Sequence, residues 1–182
     1  MTRCSILTIA GLLFVIQRAG AADTAPLHTG DLFPQLSGLT LTNKSLELPA
    51  VASGKPAVIV FSFSRSAGND ARLWNEHLSK DFSNAVPDYQ VIVLESVPRL
   101  LRGTAVSGIK NTMPAASQDR SMVLYKDEKL WKLRLATSDN NRAYLLLLGA
   151  DGHIRWSNHG AFGDSEYARL RSEIEKLLPP HV

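Results

Sequence analysis

The stretch that decides the fold is residues 56–82, PAVIVFSFSRSAGNDARLWNEHLSKDF. Pro56 to Ser64 is a β-branched and aromatic run with no internal breaker, which suits a central strand covered on both faces. Arg65-Ser66-Ala67-Gly68-Asn69 is small and polar, the composition of a turn. Asn69 is a good N-cap, and Asp70 suits the positive end of a helix dipole. Ala71, Trp74, His77, Leu78 and Phe82 then recur at helical spacing, so an amphipathic helix is expected after Asn69.

Working outward, Gly30-Asp31-Leu32-Phe33-Pro34 opens the domain. Leu39–Thr42 and Leu46–Leu48 read as short strands around the polar turn Asn43-Lys44. Downstream, Pro87-Asp88 breaks the chain, and Tyr89–Glu95 reads as a second buried strand, parallel to the first through a right-handed crossover. Pro98 can open a helix, whose apolar side is expected to be Leu100, Leu101, Val106 and Ile109. Ser121–Tyr125 is a short strand, and Lys126–Asn141 contains a short helix around Leu130, Trp131 and Leu133. Ala143–Leu148 is a clear buried strand. Ala150-Asp151-Gly152 signals a hairpin turn, and His153–Ser157 returns antiparallel. There Arg155 is expected to face away from both Ile154 and Trp156. Asp164 is expected to cap a last helix with Tyr167, Leu170, Ile174, Leu177 and Leu178 as its apolar stripe. The expected fold class is α/β, a central mixed sheet with helices on both faces.

Composition bounds the rest. The chain has 182 residues, 45% hydrophobic and 20% charged, enough for one domain and too apolar for long disorder. Arg3, the apolar run Ile6–Ile16 and the small residues Ala19-Gly20-Ala21-Ala22 read as a secretory signal peptide over 1–22. The mature domain is then 23–182, exported to the periplasm or the extracellular space, with no transmembrane segment left after cleavage. The single cysteine, Cys4, would be removed with the signal. Arg3 and Arg18 would leave too, so 20 basic residues become 18 against 17 acidic, a net charge of +1. That balance gives no argument for a nucleic-acid partner, and no nucleic-acid motif is present.

The strand, turn and helix over 56–82 resemble the start of a thioredoxin-like domain, and the Gly-Asp-x-x-Pro opening is similar to its redoxin branch. In such domains the turn carries a Cys-x-x-Cys pair at a helix N-terminus, where the dipole lowers a thiol pKa. The corresponding turn here, Ser66-Ala67-Gly68-Asn69, has no cysteine, and a serine can form neither a thiolate nor a disulfide. The cis-proline that such domains place before the hairpin strand is also missing, since that place reads Asn141-Arg142-Ala143-Tyr144. A metal site is poorly supported: His153 and His159 are six apart with no thiol beside them. A Ser66–His77–Asp70 hydrolase site lacks the nucleophile-elbow motif. No catalytic residue, metal ligand or cofactor is therefore assigned. Arg99, Arg102 and Lys110, with no acidic residue between Glu95 and Asp119, make the most basic stretch. It could touch anionic lipid at about 1 kcal/mol per charge, but three charges are few, and a solvated helix face is the favoured reading.

Phe61-Ser62-Phe63-Ser64, Trp74, Tyr89–Leu94, Asp119-Arg120, Tyr144-Leu145-Leu146-Leu147, Asp151-Gly152, Ile154-Arg155-Trp156 and Gly160 together resemble the mitochondrial ATP synthase assembly factor family, across roughly residues 56–163. The resemblance implies a thioredoxin-like fold lacking the cysteine pair, and a non-catalytic chaperone or assembly factor for a membrane protein complex such as ATP synthase. The partner it implies is a protein client. The residues expected to bind that client are Arg65, Ser66 and Asp70 at the turn, Arg142 beside it, and Asp119, Arg120, Arg155 and Trp156. The alternatives are a divergent redoxin-type oxidoreductase relative and a periplasmic protein that binds a small molecule or metal.

Overall fold

The computed structural model describes residues 24–52, 54–82 and 85–179. The expected signal peptide lies outside them. The elements run β1 (Leu36–Thr40), β2 (Ser45–Leu48), β3 (Ala57–Ser62), α1 (Arg65–Asp81), β4 (Asp88–Val93), α2 (Arg102–Thr112), α3 (Ala115–Gln118), β5 (Ser121–Leu124), α4 (Glu128–Arg134), β6 (Tyr144–Leu148), β7 (Ile154–His159) and α5 (Asp164–Leu177). Seven strands form one mixed sheet in the order β2-β1-β5-β4-β3-β6-β7. The strands β3, β4 and β5 are parallel, whereas β6 pairs antiparallel with β3 and with β7. This is a thioredoxin-like α/β sheet.

The run over 57–62 becomes the central strand because it has no exposed position: all six residues of β3 are buried. Alternate side chains feed two cores, as the period of two in a strand requires. On one face Ile59 and Phe61 join Tyr89, Val91, Met122, Leu146 and Leu148. Trp131 from α4 closes this core, its ring 4.9 Å from Phe61 and 5.8 Å from Phe33. On the other face Val58, Val60, Leu145 and Leu147 meet Trp74 and Leu78 of α1 and Leu170 and Ile174 of α5. Trp74 is fully buried, and its ring lies 5.2 Å from that of Phe162, edge on. Gly38 lets β1 close over this sheet, because a Cβ there would lie 2.7 Å from the Met122 side chain.

Four local expectations are corrected. First, α1 begins at Arg65 with Ser64 as its cap, so the turn Arg65–Asn69 is the first turn of the helix and Asn69 caps nothing. Second, Leu100 and Leu101 do not face the core: they are 96% and 56% exposed. Residues 99–101 form a tight 3-10 turn before α2, which shifts the register. Val106 and Ile109 pack inward as expected, joined by Val97, Ala105 and Met113, on Leu41, Ile92, Leu94 and Val123. Third, the β6–β7 register slips at Leu147/Leu148, so that Trp156 opposes Leu147 and Ile154 opposes Leu148. Arg155 is the extra residue of a β-bulge. Ile154 and Trp156 therefore enter opposite cores rather than sharing a face. Fourth, the cap position of α5 is Gly163, and Asp164 lies inside its first turn.

Candidate functional site

The parallel strands fix which loops share an end of the sheet. Ser62 is level with Ile92, Val93 with Leu124, and Phe61 with Tyr144. The chain after β3, β4 and β5 and the chain before β6 consequently meet at one end. In the redox-active relatives of the fold, this end would present the thiol pair.

Here that end is closed by hydrogen bonds. The Ser64 hydroxyl accepts from the Ala67 amide at 3.1 Å and donates to the Asn140 carbonyl at 2.6 Å. One hydroxyl thus caps α1 and ties it to the loop before β6. Six residues on, Asp70 points inward. It is buried, and its Oδ2 accepts from the Ala143 amide at 3.1 Å and its Oδ1 from the Phe162 amide at 2.7 Å. Two backbone donors that would otherwise be lost inside the protein are satisfied by one carboxylate. Asp70 is therefore a clamp between α1 and the segments on either side of the β6–β7 hairpin, not a surface residue at the helix dipole.

Two cations remain outside, near the exposed Asp139. Arg65, Ser66 and Arg142 are exposed, and neither arginine has a hydrogen-bond or ion-pair partner among the described residues. Arg65 lies in the first turn of α1, and Arg142 lies two residues before β6. The other expected contact residues are elsewhere. Asp119 and Arg120 precede β5, at the opposite end of the sheet. The Asp119 carboxylate accepts from Thr42 at 2.5 Å and from Lys44 at 2.6 Å, which holds it below the usual carboxylate range. Arg120 reaches Asp88 at 3.5 Å; burial nevertheless raises the Asp88 carboxyl, with Arg120 opposing. Arg155 pairs with Asp151 at 2.5 Å across the hairpin turn. A Cβ on Gly149 would lie 2.7 Å from both side chains, so the glycine leaves room for that pair. Trp156 is half-buried against the α5-side core. The eight expected residues thus divide between two ends of the sheet and its flank and do not form one site.

The sequence reading missed Ser64, Asn140 and Phe162. A signal for Ser64 existed: the helical stripe Ala71, Trp74, Leu78 extends back to Ala67, which puts a serine at the cap position. The contacts of Asn140 and Phe162 are long-range and leave no local pattern. Among the described residues no group of three or more His, Cys, Asp or Glu is placed to hold a metal ion, and no helix is long and apolar enough to cross a membrane.

A family model described as ATP10 protein matches residues 28–177. The chain belongs to the ATP10 family. This is the ATP synthase assembly factor family, and its member here carries one cysteine and no Cys-x-x-Cys pair. No curated protein matches the chain at a significant level. Among solved structures it is similar to a proposed thiol:disulfide interchange protein DsbE from Chlorobium tepidum, with a TM-score of 0.62 at 15% identity, covering 84% of this chain and 99% of that one. The thioredoxin domain of a thiol-disulfide oxidoreductase from Bacteroides vulgatus gives 0.59 at 17% identity, over 81% and 99%. BsSco, of the Sco family of cytochrome c oxidase assembly proteins, gives 0.59 at 11% identity, over 81% and 94%. At these identities the likeness carries the fold alone.

Proposed function

We propose that this ATP10-family protein is a non-catalytic assembly factor that holds an extended segment of a membrane-complex subunit. In keeping with the family, the client is the proton-channel subunit of ATP synthase. The observation that carries the reading is the closed helix start. Where a redox relative offers thiols, this chain has Ser64 and Asp70 bonded inward and Arg65, Ser66 and Arg142 outward. Two unpaired guanidinium groups suit charge-assisted hydrogen bonds to carboxylates or to the carbonyls of an extended chain. The edge strand β7 supports the same reading. Its Ile154 is bonded to Gly30 and Asp31, but beyond it no described strand pairs with the outer side of β7. Such an edge can accept one more strand from a client. BsSco belongs to a family of cytochrome c oxidase assembly proteins, so assembly of a membrane complex has a precedent on this fold.

The N-terminal sequence pattern supports export to the periplasm or beyond. Recovery of the protein from the cytosol with residues 1–22 intact would remove that part of the proposal. The functional test is crosslinking and affinity capture of the tagged protein from native membranes. Recovery of a proton-channel subunit is expected, and its loss in the Arg65→Ala/Arg142→Ala variant. Equal recovery by that variant, or no membrane subunit at all from folded protein, overturns the reading.

A further inference from the structure

The closed end of the sheet carries a second feature that the client reading does not use. Beyond β4 the chain makes the 3-10 turn Arg99–Leu101 before α2. Leu100 is 96% exposed and Leu101 is 56% exposed. Burying a leucine is ordinarily favourable, yet here two adjacent leucines stand clear of the protein. The turn is held in that pose from below. Arg102 donates from Nε to the Val97 carbonyl at 3.0 Å and from Nη2 to the Glu95 carbonyl at 3.1 Å. Its guanidinium also lies over the Tyr125 ring, 4.9 Å from the centroid. Tyr125, itself 42% exposed, follows β5 and so belongs to the same end of the sheet.

Cations outnumber acids in the segments around the leucines: Arg99, Arg102 and Lys126 against Glu95 and Asp127. Arg99 and Lys126 are exposed and have no hydrogen-bond or ion-pair partner among the described residues. Glu95 and Asp127 are the nearest acids in the chain. Glu95 is engaged, accepting from the Glu128 amide at 2.7 Å. No acidic residue occurs from 96 to 118.

We infer that Leu100 and Leu101 are a membrane-insertion tip, and that Arg99, Lys126 and the Tyr125 ring bind the headgroups of anionic phospholipid around it. Two observations favour lipid over a protein partner. The tip projects into solvent, Leu100 almost completely and Leu101 by more than half, and a pocket lies at the other end of the sheet, between Pro49, Ala52, Leu148 and Gly152. A protein would have to supply a matching pocket, whereas the acyl boundary of a bilayer takes protruding leucines without one. The flanking cations and the aromatic ring also match the makeup of interfacial anchors. In that pose, the end of the sheet that carries Arg65 and Arg142 faces the bilayer.

The test uses the full chain with Cys4→Ser and an environment-sensitive fluorophore on Leu100→Cys. The same label on Lys55→Cys, at the opposite end of the sheet, is the control. Vesicles of phosphatidylcholine with phosphatidylglycerol should shift the emission at position 100 to the blue and shield it from aqueous iodide. Position 55 should not respond. The apolar N-terminus cannot mimic this result, because tethering alone leaves both labels wet. Arg99→Glu/Lys126→Glu in the labelled background should weaken the response at least about tenfold, while Arg65→Ala/Arg142→Ala should leave it largely intact. A label at 100 that stays as wet as the one at 55 overturns the inference. So does an equal shift on pure phosphatidylcholine, or a shift produced only by soluble protein. Because different residues serve the two roles, loss of client capture and loss of lipid contact can be told apart.

Discussion

The two ends of the sheet differ in which cations are paired. Three ion pairs lie at the end that precedes the parallel strands: Lys44 with Asp119, Arg120 with Asp88, and Arg155 with Asp151. At the end that follows them, Arg65, Arg99, Lys126 and Arg142 have no such partners among the described residues. The first set joins neighbouring strands and loops, and its groups are already satisfied. The second set is the one that the proposed client and lipid contacts would use. Asp119, Arg120 and Arg155 carry the family resemblance, and the structure gives them fold-holding contacts. Residues that carry a family resemblance can therefore also hold the fold together.

The largest expected effect comes from Asp70, the carboxylate that closes the helix start. Asp70→Ala would leave the Ala143 and Phe162 amides without their acceptor in a buried site. Hydrogen bonds to charged groups are worth about 1.5–3 kcal/mol each, so a loss of about 3 kcal/mol in urea unfolding is expected. Asp70→Asn should lose less, because its one carbonyl oxygen still accepts. A stability unchanged by Asp70→Ala would mean that the helix start is not closed as described, and would return this end of the sheet to the list of open sites.

Most of the fold is legible in the sequence because its signals are local. The six buried residues of β3, the YLLLL run of β6, the Asp151-Gly152 turn and the α5 stripe each declare themselves within a few positions. The misreadings have local causes as well. Ser64 and Asn69 are both good caps; the stripe reaching back to Ala67 favours Ser64, and its bond to Asn140 fixes it there. Leu100 and Leu101 look like a core stripe until three residues of 3-10 geometry rotate them outward. A β-bulge leaves no mark in the short run Ile154-Arg155-Trp156, so strand alternation puts Trp156 on the face of Ile154 whereas the structure puts it on the opposite one. The candidate site was harder still. Arg65 and Arg142 are brought to the same end of the sheet by the pairing of Phe61 with Tyr144, a contact across more than eighty residues.

The paired end can be probed by pH. Burial raises the Asp88 carboxyl above its usual value, with Arg120 opposing. A carboxyl whose folded pKa is raised contributes stability that is fully present below the unfolded pKa and lost as pH rises through the folded one. Asp88→Asn should therefore gain on the wild type as pH climbs from below 3.8 through the raised value. Parallel thermal melts across that range would show it. A difference between the two proteins that does not change with pH would mean that Asp88 is not held in the buried position beside Arg120.

Asp119 should behave in the opposite sense and more weakly. Its hydrogen bonds from Lys44 and Thr42 lower its folded pKa. Its contribution is therefore present above the unfolded pKa and fades as pH falls through the folded one. The group is exposed, so salt should screen much of the effect. Asp119→Asn is expected to lower the melting temperature slightly at neutral pH and low ionic strength, and to match the wild type in strong acid. Beside it, Arg65→Ala/Arg142→Ala should leave the melting temperature unchanged at every pH, since neither side chain has a partner to lose. That null result is the sharpest form of the contrast between the two ends. If removing Arg65 and Arg142 destabilises the protein as much as removing Asp119 does, the cations at the closed end are part of the fold after all, and a client cannot be the reason they are there.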